Sequence, residues 1–227
     1  CSLRGALMSD RDQVLGVVLA GGANRRFGSH KALASVGGET ILQRTVDSLA
    51  PAAGRCVIVA NEPEPYRAFG LEVRPDLVPG LGVLGGIFTA VRWAEECGCE
   101  AALVVGCDMP FLSSTLLLRL AEVADAGGVV VPASEGPRGF EPLCASYGAS
   151  TGDAIRRSLE AGERAIVSFL DDVPVRILDY EEVRDHGDPA TIFLNVNRPE
   201  DRERAERLAA PRPENATESM DNHHEAT

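Results

Sequence analysis

Basic residues are scarce in this chain. Its 227 residues include 22 lysines and arginines against 34 aspartates and glutamates, which gives a formal net charge of −12 at pH 7. A protein of this charge does not follow a nucleic-acid backbone or adhere to anionic lipid by electrostatics alone. We therefore expect neither nucleic acid nor a membrane among its partners.

Long apolar runs and clustered metal-ligand residues are also missing. No run approaches the roughly 20 apolar residues that cross a bilayer, and residues 1–12 lack the layout of a secretory signal, so we expect a cytoplasmic protein. The four histidines fall in no motif, and the six cysteines are scattered. Cys97 and Cys99 lack a second pair at zinc-like spacing, which favours reduced thiols over a zinc site.

Apolar β-branched runs alternate with helical patterns along the chain. Strands are predicted at 14–20, 55–60, 101–106, 128–132, 173–178 and 192–196, and helices at 40–49, 84–95, 113–123, 150–160 and 199–209. Ser113 is expected to cap the third helix, and Pro199 to begin the last. The alternation predicts an α/β fold, Rossmann-like, with three α/β/α layers and a mostly parallel central sheet.

The length and pattern predict one domain with two polar ends. We expect residues 1–12 to be a disordered N-terminus, residues 13–210 to form a single domain, and residues 211–227 to be a disordered tail. The tail lacks any hydrophobic period. Its adjacent histidines therefore carry no metal-site prediction.

Two glycines, Gly21 and Gly22, directly follow the first predicted strand. Such a turn can bring backbone N–H groups against phosphate oxygens without a Cβ in the way. Arg25, Arg26 and Lys31 concentrate three cations in this segment of an acidic protein, where they can offset triphosphate charge. The spacing fits neither a P-loop nor a dinucleotide-binding motif, which disfavours a P-loop NTPase and a dehydrogenase.

Polar side chains also end two later predicted strands. Asp108 follows the apolar run 101–106, where a carboxylate at the carboxyl end of a central strand points into the ligand crevice and can hold Mg²⁺. Asn195 and Asn197 flank Val196, so strand alternation would put both amides on one face. Together these residues favour a metal-assisted phosphate site.

Four motifs, in this order and spacing, resemble those of one known family. They are Leu19-Ala20-Gly21-Gly22 continuing through Arg26, Gly28 and Lys31; Gly106-Cys107-Asp108-Met109-Pro110; Glu141-Pro142-Leu143-Cys144-Ala145; and Asn195-Val196-Asn197-Arg198-Pro199-Glu200-Asp201. Over residues 14–209 the chain resembles the molybdenum cofactor guanylyltransferases. The resemblance implies a nucleotide-diphospho-sugar-transferase-like fold and transfer of GMP from GTP to the phosphate of molybdopterin, with Mg²⁺ and release of pyrophosphate.

The resemblance also implies residue roles. Leu19, Ala20 and Gly21 would contact the nucleotide. Lys31 would bind its phosphates. Asn61 and Asp76 would lie near the guanine and ribose, and Asp108 would serve nucleotide and metal. Asn195 and Asn197 match active-site positions, and from the residues themselves we add Arg26 for phosphate charge and Gly22 for backbone donation.

The partners expected on this basis are GTP, molybdopterin or molybdenum-molybdopterin, and molybdenum-insertion or cofactor-delivery proteins. Two positions depart from the family pattern: His30 replaces a common aspartate, and Val83 replaces a proline. Three alternatives stay open at this point. The first is another nucleotidyl transfer, either of CMP to molybdopterin or of a nucleotide to a sugar phosphate. The second is a catalytically silent nucleotide-binding module, and the third, more remote, is a dehydrogenase. The Leu19-Ala20-Gly21-Gly22 string favours guanylyl over cytidylyl transfer.

Overall fold

Runs of buried apolar residues build the central sheet of the computed structural model, which describes residues 10–20 and 31–210. The strands are β1 Val14–Leu19, β2 Ser35–Val36, β3 Glu39–Thr40, β4 Arg55–Val59, β5 Glu72–Arg74, β6 Ala101–Gly106, β7 Val129–Pro132, β8 Cys144–Gly148 and β9 Val175–Leu178. Every residue of β1 and β6 is buried, as expected of strands covered on both faces.

In the described residues, seven of these strands form one sheet, in the order β5-β4-β1-β6-β8-β7-β9. All neighbours pair in parallel except those of β8, which is antiparallel to β6 and to β7. The chain adds β4 and β5 on one side of β1 and then crosses to place β6 on the other side. This reversal makes the gap beside β1 a topological switch point, where open α/β sheets bind ligands.

Helices cover both faces of the sheet. They are α1 Ile41–Leu49, α2 Gly82–Glu96, α3 Ser114–Glu122, α4 Gly152–Glu160, α5 Tyr180–Arg184, α6 Pro189–Ile192 and α7 Pro199–Ala209. One apolar cluster joins α2 and α4 to the sheet, and a second joins α1 and α3 to its opposite face. A third, smaller cluster joins the β2-β3 hairpin to α7. The three-layer, mostly parallel α/β fold predicted from the sequence is confirmed.

Local capping chemistry sets several helix ends as predicted. The Ser113 hydroxyl accepts a hydrogen bond from the Leu116 amide at 3.4 Å and caps α3. Pro199 is the first residue of α7, and the Asp201 carboxylate accepts from the amide of Arg198 at 2.8 Å. That carboxylate, in the first turn of α7, accepts from an N–H that has no partner within the helix, and its negative charge interacts favourably with the helix dipole.

The strand predicted at 192–196 is wrong. Asp188 accepts hydrogen bonds from the Ala190 amide and the Thr191 hydroxyl, and Pro189 follows it, so this segment begins as the short helix α6. The chain then runs on without joining the sheet. Its alternation misled the prediction because Leu194 and Val196 are buried in the small apolar cluster.

The prediction also omitted four strands and two short helices. The omitted elements are β2, β3, β5, β8, α5 and α6. Strand β8 has the sequence Cys-Ala-Ser-Tyr-Gly, which lacks β-branched residues and alternation, although every one of its residues is buried. Packing between β6 and β7, rather than local propensity, makes this segment a strand.

Residues 1–9 and 211–227 lie outside the described residues, so the disorder predicted for both ends stays a prediction, as does the single domain at 13–210. Within residues 10–20 and 31–210, no helix has the length and apolar character needed to span a bilayer.

Gly148, at the end of β8, is predicted to tolerate no side chain. A Cβ there would collide with the backbone oxygens of Asp125 and Ala126. We expect Gly148→Ala to lower the free energy of unfolding by about 1–3 kcal/mol, the usual cost of overpacking. At Gly127 an added Cβ would have its nearest neighbour at 3.8 Å, so Gly127→Ala is the matched control. Equal urea midpoints for the two variants would contradict this packing.

Candidate active site

The parallel strands deliver their carboxyl ends to one edge of the sheet. Because β8 is antiparallel, it begins at this same edge. Leu19 and Ala20 at the end of β1 therefore converge with the residues that the sequence singled out after β4, β5 and β6. The turn that leads into β8 lies at the same edge. This edge, at the switch point beside β1, is the candidate active site.

Backbone hydrogen bonds fix the position of Asp108 just beyond β6. The Gly106 amide donates to the Leu143 carbonyl at 2.9 Å, and the Cys107 amide donates to the Leu19 carbonyl at 3.2 Å. The Asp108 carbonyl in turn accepts from the Val196 amide at 2.9 Å. Three separate segments of the chain thus hold three consecutive residues, and the Asp108 side chain starts from a rigid base.

Gly106 leaves room for that side chain. A Cβ on Gly106 would lie 2.9 Å from Oδ1 of Asp108 and 3.3 Å from Cε of Met109. Met109 is fully buried and cannot move away freely. The glycine in the Gly-Cys-Asp-Met-Pro motif therefore allows the carboxylate to fold back over the strand end.

Asn61 and Asp76 form a reciprocal pair at the ends of β4 and β5. The Asn61 side-chain amide donates to Oδ2 of Asp76 at 2.8 Å, and the Asp76 backbone amide donates to Oδ1 of Asn61 at 2.9 Å. A Cβ on Gly86 of α2 would lie 3.4 Å from Leu19 and 3.7 Å from Asp76. The structure thus places Asn61 and Asp76 together, beside the end of β1.

The end of β1 is held from both sides. The Ala20 amide donates to the Val59 carbonyl at 2.9 Å, and the Tyr66 hydroxyl donates to the Ala20 carbonyl at 3.0 Å. Burial, with smaller contributions from Cys107 and Glu62, raises the pKa of Tyr66 to about 12, so its hydroxyl keeps the proton that it donates. Leu19 and Ala20 therefore have fixed backbones at the mouth of the site.

The loop after β1 lies outside the described residues. This covers Gly21, Gly22, Arg26 and His30, whose predicted roles stay predictions. Lys31 begins a short 3₁₀ helix, Lys31–Leu33, and its side chain also lies outside the description.

Asn195 and Asn197 lie beside Asp108, although not on a strand. The Val196 amide bond to the Asp108 carbonyl pins the segment that carries them. The flanking apolar side chains are buried, while Asn195 is half-buried and Asn197 exposed. The same-face placement of the two amides stays a prediction, and the Asn195 side-chain amide donates to the Phe193 carbonyl at 3.2 Å.

Glu141 is a site residue to which the sequence argument gave no role. Its carboxylate accepts from the Leu143 amide at 3.0 Å at the start of β8. Burial raises the pKa of Glu141, and the nearby charge of Asp108 raises it further, while the Leu143 amide and the charge of Arg138 oppose the shift. The available signal was its place in the Glu-Pro-Leu-Cys-Ala motif directly before a buried strand.

The donor set at this edge fits a divalent cation that is shared with substrate. No group of three or more His, Cys, Asp or Glu side chains is arranged to hold a metal within residues 10–20 and 31–210. Asp108 and Glu141 nevertheless place two carboxylates close enough to interact. Mg²⁺ is commonly bound by one or two carboxylates, with substrate phosphates and water completing its shell.

Val83, one of the two departures from the family pattern, lies in the first turn of α2. Gly82 precedes it with a φ of 66°, a conformation that favours glycine. The first turn of a helix accepts proline as readily as valine, since its N–H groups have no partner within the helix. The chain keeps the glycine on which this turn depends.

Comparison with known proteins identifies the family. The model of the MobA-like NTP transferase domain matches residues 16–174. A probable molybdenum cofactor guanylyltransferase of Pelotomaculum thermopropionicum is 36% identical over 197 residues, which cover 87% of this chain and 94% of that protein. The molybdenum cofactor guanylyltransferase of Desulfosudis oleivorans is 34% identical, over 86% of this chain and 95% of that protein.

Solved structures show the same fold. Molybdopterin-guanine dinucleotide biosynthesis protein A from Archaeoglobus fulgidus superposes with a TM-score of 0.71 at 27% identity, over 86% of this chain and 97% of that one. The 2-C-methyl-D-erythritol 4-phosphate cytidylyltransferase of Thermus thermophilus shares the fold with a TM-score of 0.61 at 20% identity, over 85% and 97% of the two chains. This chain belongs to the MobA-like NTP transferases and, within them, to the molybdenum cofactor guanylyltransferase family.

Proposed function

We propose that this protein transfers GMP from GTP to the phosphate of molybdopterin and releases pyrophosphate, in a reaction that requires Mg²⁺. The observation that carries the proposal is the backbone lock at the end of β6. It brings Asp108, the Asn195–Asn197 segment and the end of β1 to one point. The chain that carries this lock is 36% and 34% identical to relatives that have this activity in their names.

The reaction is an in-line attack by an acceptor phosphate oxygen on the α-phosphorus of GTP. A bond forms from that oxygen to the α-phosphorus, the bond to the β-phosphate oxygen breaks, and pyrophosphate leaves with its electron pair. Two anions must approach each other, so positioning and charge neutralisation contribute more than proton transfer. This demand matches a site built from amides and carboxylates rather than from histidines.

Each residue in the proposal has a physical task. Backbone amides of Gly21 and Gly22 bind phosphate oxygens, and Lys31 and Arg26 offset their charge. Asn61 and Asp76, already paired at the ends of β4 and β5, face the guanine and ribose. Asn195 and Asn197 orient the acceptor or the metal-bound phosphates.

Asp108 and Glu141 are the residues that would hold the metal. When bound, Mg²⁺ would neutralise the charge of the phosphate oxygens and favour the in-line geometry. Asp108 supplies a carboxylate from a rigid backbone. Glu141 supplies the second, kept in place by the Leu143 amide.

The central test measures product formation with the purified protein, GTP, Mg²⁺ and molybdopterin. We expect stoichiometric pyrophosphate and guanine dinucleotide, and a loss of about 10²–10³-fold in kcat for Asp108→Asn, as for removal of one preorganised charge-stabilising group. The exposed carboxylate of α4 provides the control, Asp153→Asn, which should keep full activity. If the parent protein released no more pyrophosphate than Asp108→Asn, the protein would be a silent nucleotide-binding module. A preference for CTP over GTP would identify cytidylyl transfer.

A metal titration tests the two carboxylates without reference to turnover. Mn²⁺ binding to the protein with a non-hydrolysable GTP analogue can be followed by electron paramagnetic resonance. We expect Asp108→Asn and Glu141→Gln each to weaken Mn²⁺ binding by at least about tenfold, since even outer-shell groups have effects of that size. Unchanged affinity in Glu141→Gln would remove Glu141 from the metal site.

The pKa of Glu141 gives a prediction for the metal-free protein. Folding raises this pKa, so the protonated carboxyl of Glu141 contributes favourably to the free energy of unfolding. That contribution is complete below the pKa of Glu141 in the unfolded chain, and it is lost as the pH rises through the pKa of Glu141 in the folded protein. Glu141→Gln should therefore be more stable than the parent at pH 7, with the difference shrinking as the solution becomes acidic. Urea unfolding in EDTA measures this, with exposed Glu163→Gln as the control. A less stable Glu141→Gln at pH 7 would contradict the burial argument.

A further inference from the structure

The acceptor's half of the crevice carries negative charge. In the proposed reaction the acceptor phosphate must approach Asp108 and Glu141, which are both carboxylates, in a chain whose net charge is −12. The cations predicted to bind GTP, Arg26 and Lys31, belong to the loop after β1. A phosphate monoester that enters from the β7-β8 side therefore needs a cation on its own side of the site.

The connection between β7 and β8 carries such a cation. Residues 133–140 of this connection form a tight turn, and exposed Arg138 stands near its tip, three residues before Glu141. The turn leaves the same edge of the sheet at which Asp108 lies, because β7 runs parallel to β6 in the sheet and β8 begins there.

Backbone hydrogen bonds close this turn. Ala133 and Phe140 form an isolated antiparallel bridge, and the Ser134 amide donates to the Gly139 carbonyl at 3.0 Å. The Gly139 amide donates to the Gly136 carbonyl at 2.9 Å, with a φ of 75° at Gly139. Arg138 thus stands on a backbone that is already ordered.

The turn is also attached to its neighbours. The Ala133 amide donates to the Leu178 carbonyl at the end of β9, at 2.8 Å. The Tyr180 hydroxyl, in the first turn of α5, donates to the Glu135 carboxylate at 2.8 Å. These two contacts hold the base and one side of the turn. Ligand binding would therefore incur little entropic cost for ordering the turn.

The Arg138 guanidinium is exposed and available. It has no hydrogen bond or ion pair with any residue in the described part of the chain, whereas Arg74 is bound by Glu72 and Glu96, and Arg184 by Glu181. Its charge nevertheless reaches Glu141, whose pKa it lowers against the larger effect of burial. Arg138 therefore stands three residues before Glu141 in the same connection, and no direct partner among the described residues neutralises its charge.

We propose that Arg138 binds the phosphate monoester of the acceptor and holds it beside Asp108 for attack on the nucleotide. The inference rests on the proposed function and deepens it, because it names the group that recognises the second substrate. A guanidinium suits this task since its planar fork can donate two parallel hydrogen bonds to phosphate oxygens. No bond is made or broken at Arg138.

Steady-state kinetics with molybdopterin and GTP test the inference. We expect Arg138→Ala to raise KM for molybdopterin about tenfold or more, the size of one charge-assisted hydrogen bond, while KM for GTP stays within about twofold. The KM of Arg138→Lys for molybdopterin should lie between those of the parent and Arg138→Ala, because an ammonium group keeps the charge and loses the planar fork of the guanidinium. Exposed Arg176 of β9 provides the control, Arg176→Ala, which should behave like the parent.

Equilibrium binding of molybdopterin to protein loaded with a non-hydrolysable GTP analogue separates the two proposals. Weaker binding by Arg138→Ala, with binding of the analogue unchanged, supports the inference. If the parent turns over and Arg138→Ala matches it in KM and in affinity, the inference is overturned while the proposed function stands. A raised KM for GTP would also overturn it. A parent that neither turns over nor binds molybdopterin would overturn both.

Discussion

The candidate active site depends on how the backbone just beyond β6 is held. Residues 106–108 share hydrogen bonds with Leu143, Leu19 and Val196, which belong to three segments far apart in the chain. These bonds join the turn before β8, the end of β1 and the segment before α7 to one carboxylate. Any change that shifted this backbone would move several predicted site residues at once. A side chain at position 106 would have this effect, because its Cβ would lie 2.9 Å from Oδ1 of Asp108.

Strand β8, which is antiparallel to both of its neighbours, divides the seven-stranded sheet into two halves. On one side of β6, Leu19 ends β1, and Asn61 and Asp76 follow the parallel strands β4 and β5 by two residues. These are the positions proposed for the nucleotide. On the other side, β8 starts at the site rather than ending there, so the turn that leads into it presents Glu141 and Arg138. In the proposed reaction this arrangement lets the two phosphate-bearing substrates approach Asp108 from opposite sides.

Sequence patterns predicted an element correctly where residues close together in the chain determine its structure. Continuous apolar runs located β1 and β6, and the Ser113 cap and Pro199 located helix starts to the residue. They failed where packing decided the outcome. Strand β8 has weak β-propensity and forms because β6 and β7 flank it, while residues 192–196 alternate like a strand and instead extend along an apolar cluster.

The site itself was only partly predictable for the same reason. Asp108 follows its strand directly, so its position could be inferred from topology. Glu141 and Arg138 belong to the connection that leads into an antiparallel strand the sequence did not reveal, and the electrostatic interaction of Glu141 with Asp108 arises only in the tertiary structure. The loop of Gly21, Gly22 and Arg26 remains a prediction drawn from glycine and cation spacing.

In the proposed reaction, metal and nucleotide meet at Asp108. A crystal structure with Mg²⁺ and a non-hydrolysable GTP analogue tests it most directly. We predict an Asp108 carboxylate oxygen at about 2.0–2.1 Å from Mg²⁺, with nucleotide phosphate oxygens in the same shell. A nucleotide bound away from the carboxyl end of β6, or a metal that contacts the phosphates without Asp108, would contradict this role of Asp108.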